Sequence, residues 1–179
     1  MLADSVGTAV EETLPRGMFE GTLFRAAMRH PTNAVTVVAS EFAGERVGVT
    51  ATAVCSLSDS PPSILACINR KSSALAIIQD SNSFSVNFLA SNQVKIAEIF
   101  GGRTPLRGED RFRTAPWTTL KTGAPILSNG LVSFDCQLDQ IIEHSTHLIL
   151  IGNVVDAIKQ SDLTGLTYGR GSYSPGTAC

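Results

Sequence analysis

What most constrains this chain is the spacing of its strand-like segments. Ala34–Ser40 (AVTVVAS), Val47–Val54 (VGVTATAV), Ser63–Asn69 (SILACIN), Phe84–Leu89 (FSVNFL), Leu131–Ile142 and His147–Ile158 are rich in Val, Ile, Thr and Phe. β-Branched and aromatic side chains of this kind suit a pleated, half-buried surface. Most of these segments follow one another too closely for the helical crossovers that parallel strands need. They must therefore pair mainly antiparallel, with Ala43-Gly44 as the turn of a hairpin between the first two. A sheet of this sort hides its edges by closing. The expected fold class is mainly β, an antiparallel barrel with a few covering α-helices.

Three helices fit around these strands. From Gly17 to His30 the apolar Phe19, Leu23, Phe24, Ala27 and Met28 recur at helical spacing, and Pro31 stops the run because it has no N–H. Ser72–Gln79 and Asn92–Phe100 each begin with a capping residue, and the second ends at Gly101-Gly102. Gly101–Pro125 is expected to be irregular and holds the single tryptophan, Trp117. Residues 1–16 form a loose lead-in and 17–179 one domain, with no repeat or linker.

Charge excludes several functions. The chain has 179 residues, with 14 Lys+Arg against 16 Asp+Glu, a net charge of −2. Nucleic-acid binding needs clustered cations to displace counterions, and this balance argues against it. No apolar stretch approaches the roughly 20 residues of a membrane-spanning helix. The start of the chain carries Asp4, Glu11 and Glu12 and no basic residue before Arg16, unlike a secretory signal. Cys55, Cys67, Cys136 and Cys179 contain no C-x-x-C pair and are expected to be free thiols in a reducing cytoplasm.

Two segments could hold a ligand. Gly48–Pro62 (GVTATAVCSLSDSPP) is built of small and hydroxylated residues. Such residues let a flat ligand approach the backbone, but they also suit an edge strand running into a Ser/Pro turn. Asn69-Arg-Lys-Ser-Ser73 lies between a strand and a helix N-terminus, where backbone N–H groups favour a phosphate; an ordinary cap with solvated cations fits equally. His144 and His147, three apart on a strand, should point to opposite faces and so make no metal site. His147 alone opens an apolar strand and could touch a ligand. No nucleophile elbow, phosphate loop or complete dinucleotide fingerprint occurs; Gly169-Arg-Gly171 lacks the third glycine.

Taken in order, several segments resemble the short-chain flavin reductase family, the reductase components of two-component aromatic monooxygenases. They are Phe24–His30 with Pro31-Thr-Asn-Ala-Val-Thr-Val-Val38, Gly48–Ala53, Cys55–Pro62, Asn69–Ser73, Phe84–Leu89, Gly123–Leu127, His147–Val154 and Tyr168–Tyr173. The resemblance implies a split, Greek-key-like β-barrel homodimer that reduces a flavin with a nicotinamide cofactor. The flavin would be FAD, slightly favoured, or FMN; the donor would be NADH, with NADPH the alternative. By position, Thr50, Ala51, Thr52 and Ala53 would line the isoalloxazine, largely through backbone groups. Ser56, Asn69, Lys71, Ser72 and Ser73 would hold its ribityl and phosphate end, and Asn87 and Phe88 would continue the wall. Asn33 and His147 would meet the nicotinamide, His147 as a catalytic positioner, and Tyr173 would lie near the same pocket. Asn33 stands where the family often has Gly, and Ser145-Thr146 where Gly-Asp is common.

Residues and resemblance agree on mechanism. Hydride passes between two cofactors, so no triad or carboxylate pair is required. Reduced flavin would diffuse to a separate oxygenase acting on a phenol-type aromatic compound. The alternatives are a split-barrel FMN-dependent oxidase, which would need a second Arg/Lys-rich phosphate site, and a non-catalytic flavin-binding electron carrier.

Overall fold

The computed structural model describes residues 20–176. The lead-in 1–16 and Cys179 lie outside them. The elements are α1 (Gly21–Ala27), β1 (Asn33–Ala34), β2 (Thr36–Phe42), β3 (Glu45–Ala51), β4 (Val54–Asp59), β5 (Pro62–Asn69), α2 (Ala74–Ser81), β6 (Ser83–Phe88), α3 (Val94–Phe100), α4 (Glu109–Phe112), β7 (Trp117–Thr119), β8 (Pro125–Leu127), β9 (Val132–His144), β10 (His147–Lys159), β11 (Leu166–Gly169) and β12 (Ser172–Pro175). Seven strands form the main sheet in the order β3-β2-β6-β9-β10-β5-β4, with β1-β11-β12 as a small second sheet and β7-β8 as a ribbon. Every pair is antiparallel, as the spacing of the segments required.

The long apolar runs follow from burial on two faces. Strand β2 is buried from Thr36 to Ser40 without alternation, because Val38 faces one core while Val37 and Ala39 face another. The first core lies inside the curled sheet and joins Ile64, Ala66 and Ile68 of β5, Phe84 and Val86 of β6, and Leu148 and Leu150 of β10. The second lies between the outer face of β2 and the helices α3 and α4, where Phe100, Phe112 and Trp117 meet edge to face at 5.0–5.5 Å. Edge-to-face rings of this kind contribute about 1 kcal/mol each beyond their burial.

Several expectations are corrected. Within the described residues, the helix expected over Gly17–His30 is the short α1, ending four residues before Pro31, whose ring would clash with the Ala27 carbonyl. None of its residues is buried, and Leu23, Phe24 and Met28 are 43%, 55% and 51% exposed. Val47–Val54 is not one strand: β3 ends at Ala51, and Val54 opens a second edge strand, β4, which pairs with β5 and runs on to Asp59. The stretch 101–125 is irregular for most of its length but contains the short α4 and β7, where Phe112 and Trp117 pack into the second core. Ser73 and Gln93, not Ser72 and Asn92, stand at the N-cap positions, and neither makes a side-chain cap bond; Ser72 Oγ instead accepts the N–H of Ala74, the first residue of α2, at 3.3 Å. His144 and His147 stand opposite each other, since Ser145-Thr146 is a two-residue hairpin turn and β9 pairs β10 through this pair. Directly opposed residues share a face. No group of three or more His, Cys, Asp or Glu gathers as a metal site among the described residues, and no described helix is long and apolar enough to cross a membrane.

Candidate functional site

The main sheet leaves two rims, β3 and β4, and they meet where Thr52-Ala53 passes from one to the other. An edge strand carries main-chain N–H and C=O groups with no strand partner on its outer side. The segment Thr50–Ala53 is nevertheless held firmly. Thr36 donates its hydroxyl to the Ala51 carbonyl at 2.8 Å, Thr50 donates to the Ala97 carbonyl at the same distance, and the Cys67 N–H donates to the Ala53 carbonyl at 2.9 Å. The segment is thereby tied to β2, α3 and β5.

A cleft opens on each side of it. The first, of about 230 Å³, is lined by Val49–Ala53 together with Cys67, Ile68, Asn69 and His147. Strand pairing explains the company: His147 begins β10 opposite Asn69, the last residue of β5. The Thr146 hydroxyl lies 2.9 Å from His147 Nδ1. Asn69 Oδ1 accepts the Lys71 N–H at 2.9 Å and so bends the chain out of β5. Burial, and after it the neighbouring Cys55, pushes the Cys67 thiol up. The thiol wall of this cleft is therefore uncharged near neutral pH.

The second cleft, of about 210 Å³, shares Thr50 and Thr52 and adds Val35, Gly101, Arg103, Tyr168 and Tyr173. Asn33, Tyr168 and Tyr173 lie in one row across β1, β11 and β12. The Arg103 guanidinium rests over both tyrosine rings, 5.8 Å and 5.5 Å from their centroids, and donates to Tyr168 Oη at 3.4 Å. That bond, followed by Tyr173, holds the guanidinium in its charged form, while burial raises the Tyr173 phenol. Among the described residues, Arg103 is the only Lys, Arg, Asp or Glu lining either cleft. No motif pointed to it; the arginine lies three residues past the end of α3, and only the fold lays it over the Tyr168–Tyr173 hairpin.

The structure thus gathers Thr50, Ala51, Thr52, Ala53, Asn69, His147 and Tyr173 about one segment, with Asn33 in the adjoining row. Other expected residues stand elsewhere. Alternation along β4 puts Ser56 on the face opposite Cys55, Cys67 and Asn69. Asn87 is fully buried, donating to the Val37 carbonyl and accepting the Leu127 N–H, so its amide braces β2, β6 and β8. Phe88 is half-buried and packs edge to face on Phe134 at 6.2 Å. Ser72 Oγ accepts the Ala74 N–H, Lys71 is exposed, and Ser73 lines a separate hollow of about 620 Å³ beside Arg46, Arg107 and Glu109. Arg70, adjoining these, is ion-paired with Glu143 at 2.9 Å.

Comparison with known proteins follows the same lines. A family model described as flavin reductase like domain matches residues 28–177. A relative from Yersinia enterocolitica named FMN reductase (NADH) RutF is 40% identical over 152 residues, 85% of this chain and 82% of that one. A relative of the same name from Agrobacterium fabrum is 43% identical over 133 residues, covering 74% and 75%. Among solved structures, flavin reductase PheA2 superimposes with a TM-score of 0.80 at 28% identity, covering 89% of this chain and 100% of that one. Streptomyces globisporus NADH:FAD oxidoreductase SgcE6, solved with NAD and FAD fragments, gives a TM-score of 0.77 at 25% identity, covering 85% and 90%.

Proposed function

Because the chain belongs to the flavin reductase like domain family, we infer that it is an NADH-dependent flavin reductase working at the Thr50–Ala53 segment. The single observation that carries this reading is the shared wall: one clamped, small-residue edge segment with a cleft on each side, His147 in one and Tyr173 in the other. The nicotinamide and the flavin supply the chemistry, transfer of a hydride from one to the other. The protein's part is to bind and orient. Ala51, Thr52 and Ala53 offer a low wall against which a planar ring can lie. Unpaired main-chain groups of the β3 rim offer donors where a reduced ring gains negative charge. His147, held through its Nδ1 by Thr146, positions the nicotinamide ring.

FMN is placed ahead of FAD, since the relatives of about 40% identity carry FMN in their names while FAD appears in that of a neighbour at 25%. Delivery of reduced flavin to a separate oxygenase that acts on a phenol-type aromatic compound is part of the same reading. One structural neighbour, BorF, is the reductase component of a two-component tryptophan halogenase. The reading further takes 17–179 as one catalytic domain, acting as a homodimer in the cytoplasm. The test follows absorbance at 340 nm with purified protein, NADH and micromolar FMN, then FAD, then no flavin. Flavin-dependent loss of NADH, faster with FMN, is expected. No turnover with either flavin, and none with NADPH, overturns the reading in favour of a flavin-binding carrier or an oxidase.

A further inference from the structure

Away from the two clefts, arginines line two hollows, one of which also holds Glu45 and Glu109 beside Arg46, Arg107 and Arg111. The other, of about 620 Å³ between α1 and the tip of the β11–β12 hairpin, is lined by Thr22, Arg25, Ala26, Arg29, His30 and Arg170. No carboxylate stands among these residues, and none of the arginines belongs to an ion pair among the described residues. Arg25 and Arg29 are four apart on a continuing helical turn, a spacing at which like charges repel. The carbonyl end of α1 offsets part of that repulsion, but its partial charge is only about −0.5. Three guanidinium groups exceed it.

The hairpin tip gives an independent sign. Arg170 has φ = +50°, between Gly169 and Gly171. That left-handed conformation is ordinarily left to Gly, Asn or Asp, and other residues hold it under strain. The tip is fixed by the Arg170 N–H, which donates to the Arg29 carbonyl at 2.6 Å. Any residue with an N–H would make that bond, and Gly would make it without strain. What the arginine adds is its side chain, which lines the hollow.

We propose that Arg25, Arg29, His30 and Arg170 form a recognition site for the phosphate groups of a nucleotide cofactor. The planar guanidinium fork matches phosphate oxygens two at a time, and several forks around one hollow suit a pyrophosphate better than a single anion. The same hairpin carries Tyr168 on the wall of the second cleft, two residues before Arg170 and so about 7 Å along the strand. A ligand whose ring lies against that wall has its phosphates on the side of the hollow. This inference rests on the reductase reading. The phosphates of a pyridine dinucleotide and those of a flavin share one chemistry, and displacement separates them.

The experiment titrates inorganic pyrophosphate calorimetrically into the full-length protein at low salt, then into Arg170→Gly and Arg25→Gln/Arg29→Gln. Saturable binding is expected, weakened about tenfold or more in both variants. Arg170→Gly is at the same time expected to melt at a higher temperature, because strain leaves with the side chain. A purely structural arginine would not lower affinity while raising the melting point. Bound NADH and bound flavin are then displaced with pyrophosphate at equilibrium, without turnover. Displacement of NADH alone, or of flavin alone, supports the site and names its cofactor. Absence of saturable binding, equal affinity in Arg170→Gly, or displacement of neither cofactor overturns the proposal. The reductase reading fails separately, by absent NADH oxidation in the wild-type protein.

Discussion

The Thr146 hydroxyl, 2.9 Å from His147 Nδ1, is the contact on which the orientation of the cleft's imidazole depends. It comes from the hairpin turn itself, where the neighbouring Ser145 takes φ = +49° so that two residues can join β9 to β10. His147→Ala is expected to lower kcat by about 100-fold with the fold kept, because misplacement of a reacting ring by about 1 Å has that effect. Thr146→Val should give a smaller loss and Thr146→Ser should restore the rate. Stopped-flow reduction of the flavin checks the series, with circular dichroism to confirm folding. An unchanged rate in His147→Ala would end its positioning role. At this scale the sequence showed which residues stand in order along the chain but not which polar groups are already spent. Thr50 and Asn87 look alike as hydrogen-bonding candidates, yet Thr50 ties α3 to the cleft wall while Asn87 is wholly consumed inside the molecule.

Among the elements, β10 best shows how pattern becomes packing. Its apolar run Leu148–Ile151 pairs β5 on one side and β9 on the other, and then Gly152 meets the ring of Phe84. A Cβ built on Gly152 would lie 2.5 Å from Phe84 Cζ and 2.9 Å from Cys136 Cβ. Gly152→Ala should therefore destabilise the protein by about 1–3 kcal/mol, by forcing a buried ring off its seat. Urea unfolding with an unchanged slope and a lower midpoint is the expected record. The strands were legible because Val, Ile, Thr and Phe recur between turn residues, and β2, β5, β6, β9 and β10 stand close to where those runs predict. What was illegible depends on contacts between distant parts. Strand β4 is polar and exposed, so nothing in Cys55–Asp59 distinguishes a rim strand from a turn until β5 supplies its partner. Elements α4 and β7 are four and three residues long, and they are held by distant partners: Phe112 and Trp117 press on Phe100, β7 pairs with β8, and Glu109 of α4 pairs with Arg46 of β3. The cleft was legible in its Thr50–Ala53 wall and in His147, whereas Arg103 enters through a long-range contact that no local spacing encodes.

For the molecule as a whole, the unburied stripe on α1 is the feature that a lone chain leaves unexplained. Leu23, Phe24 and Met28 face solvent together, and a helix of seven residues has little intrinsic stability in water without packing. A homodimer that covers this stripe is the expected state. Light scattering coupled to size exclusion should give twice the 18.9 kDa of one chain, and Phe24→Asp should shift the population towards monomer. A wild-type protein running as 18.9 kDa would refute the dimer.

The two rims of the main sheet carry one more consequence. Any strand edge with free backbone groups can be extended by a foreign strand, which is how soluble proteins begin to form fibres. Here the ends are guarded: Glu45 and Arg46 place charge at the start of β3, and Asp59 with Pro61 and Pro62 closes the far end of β4. The middle, Val49–Ala51, has no such guard. That open middle is where self-association in storage is expected to begin, and a ligand seated in the cleft would be its natural protection.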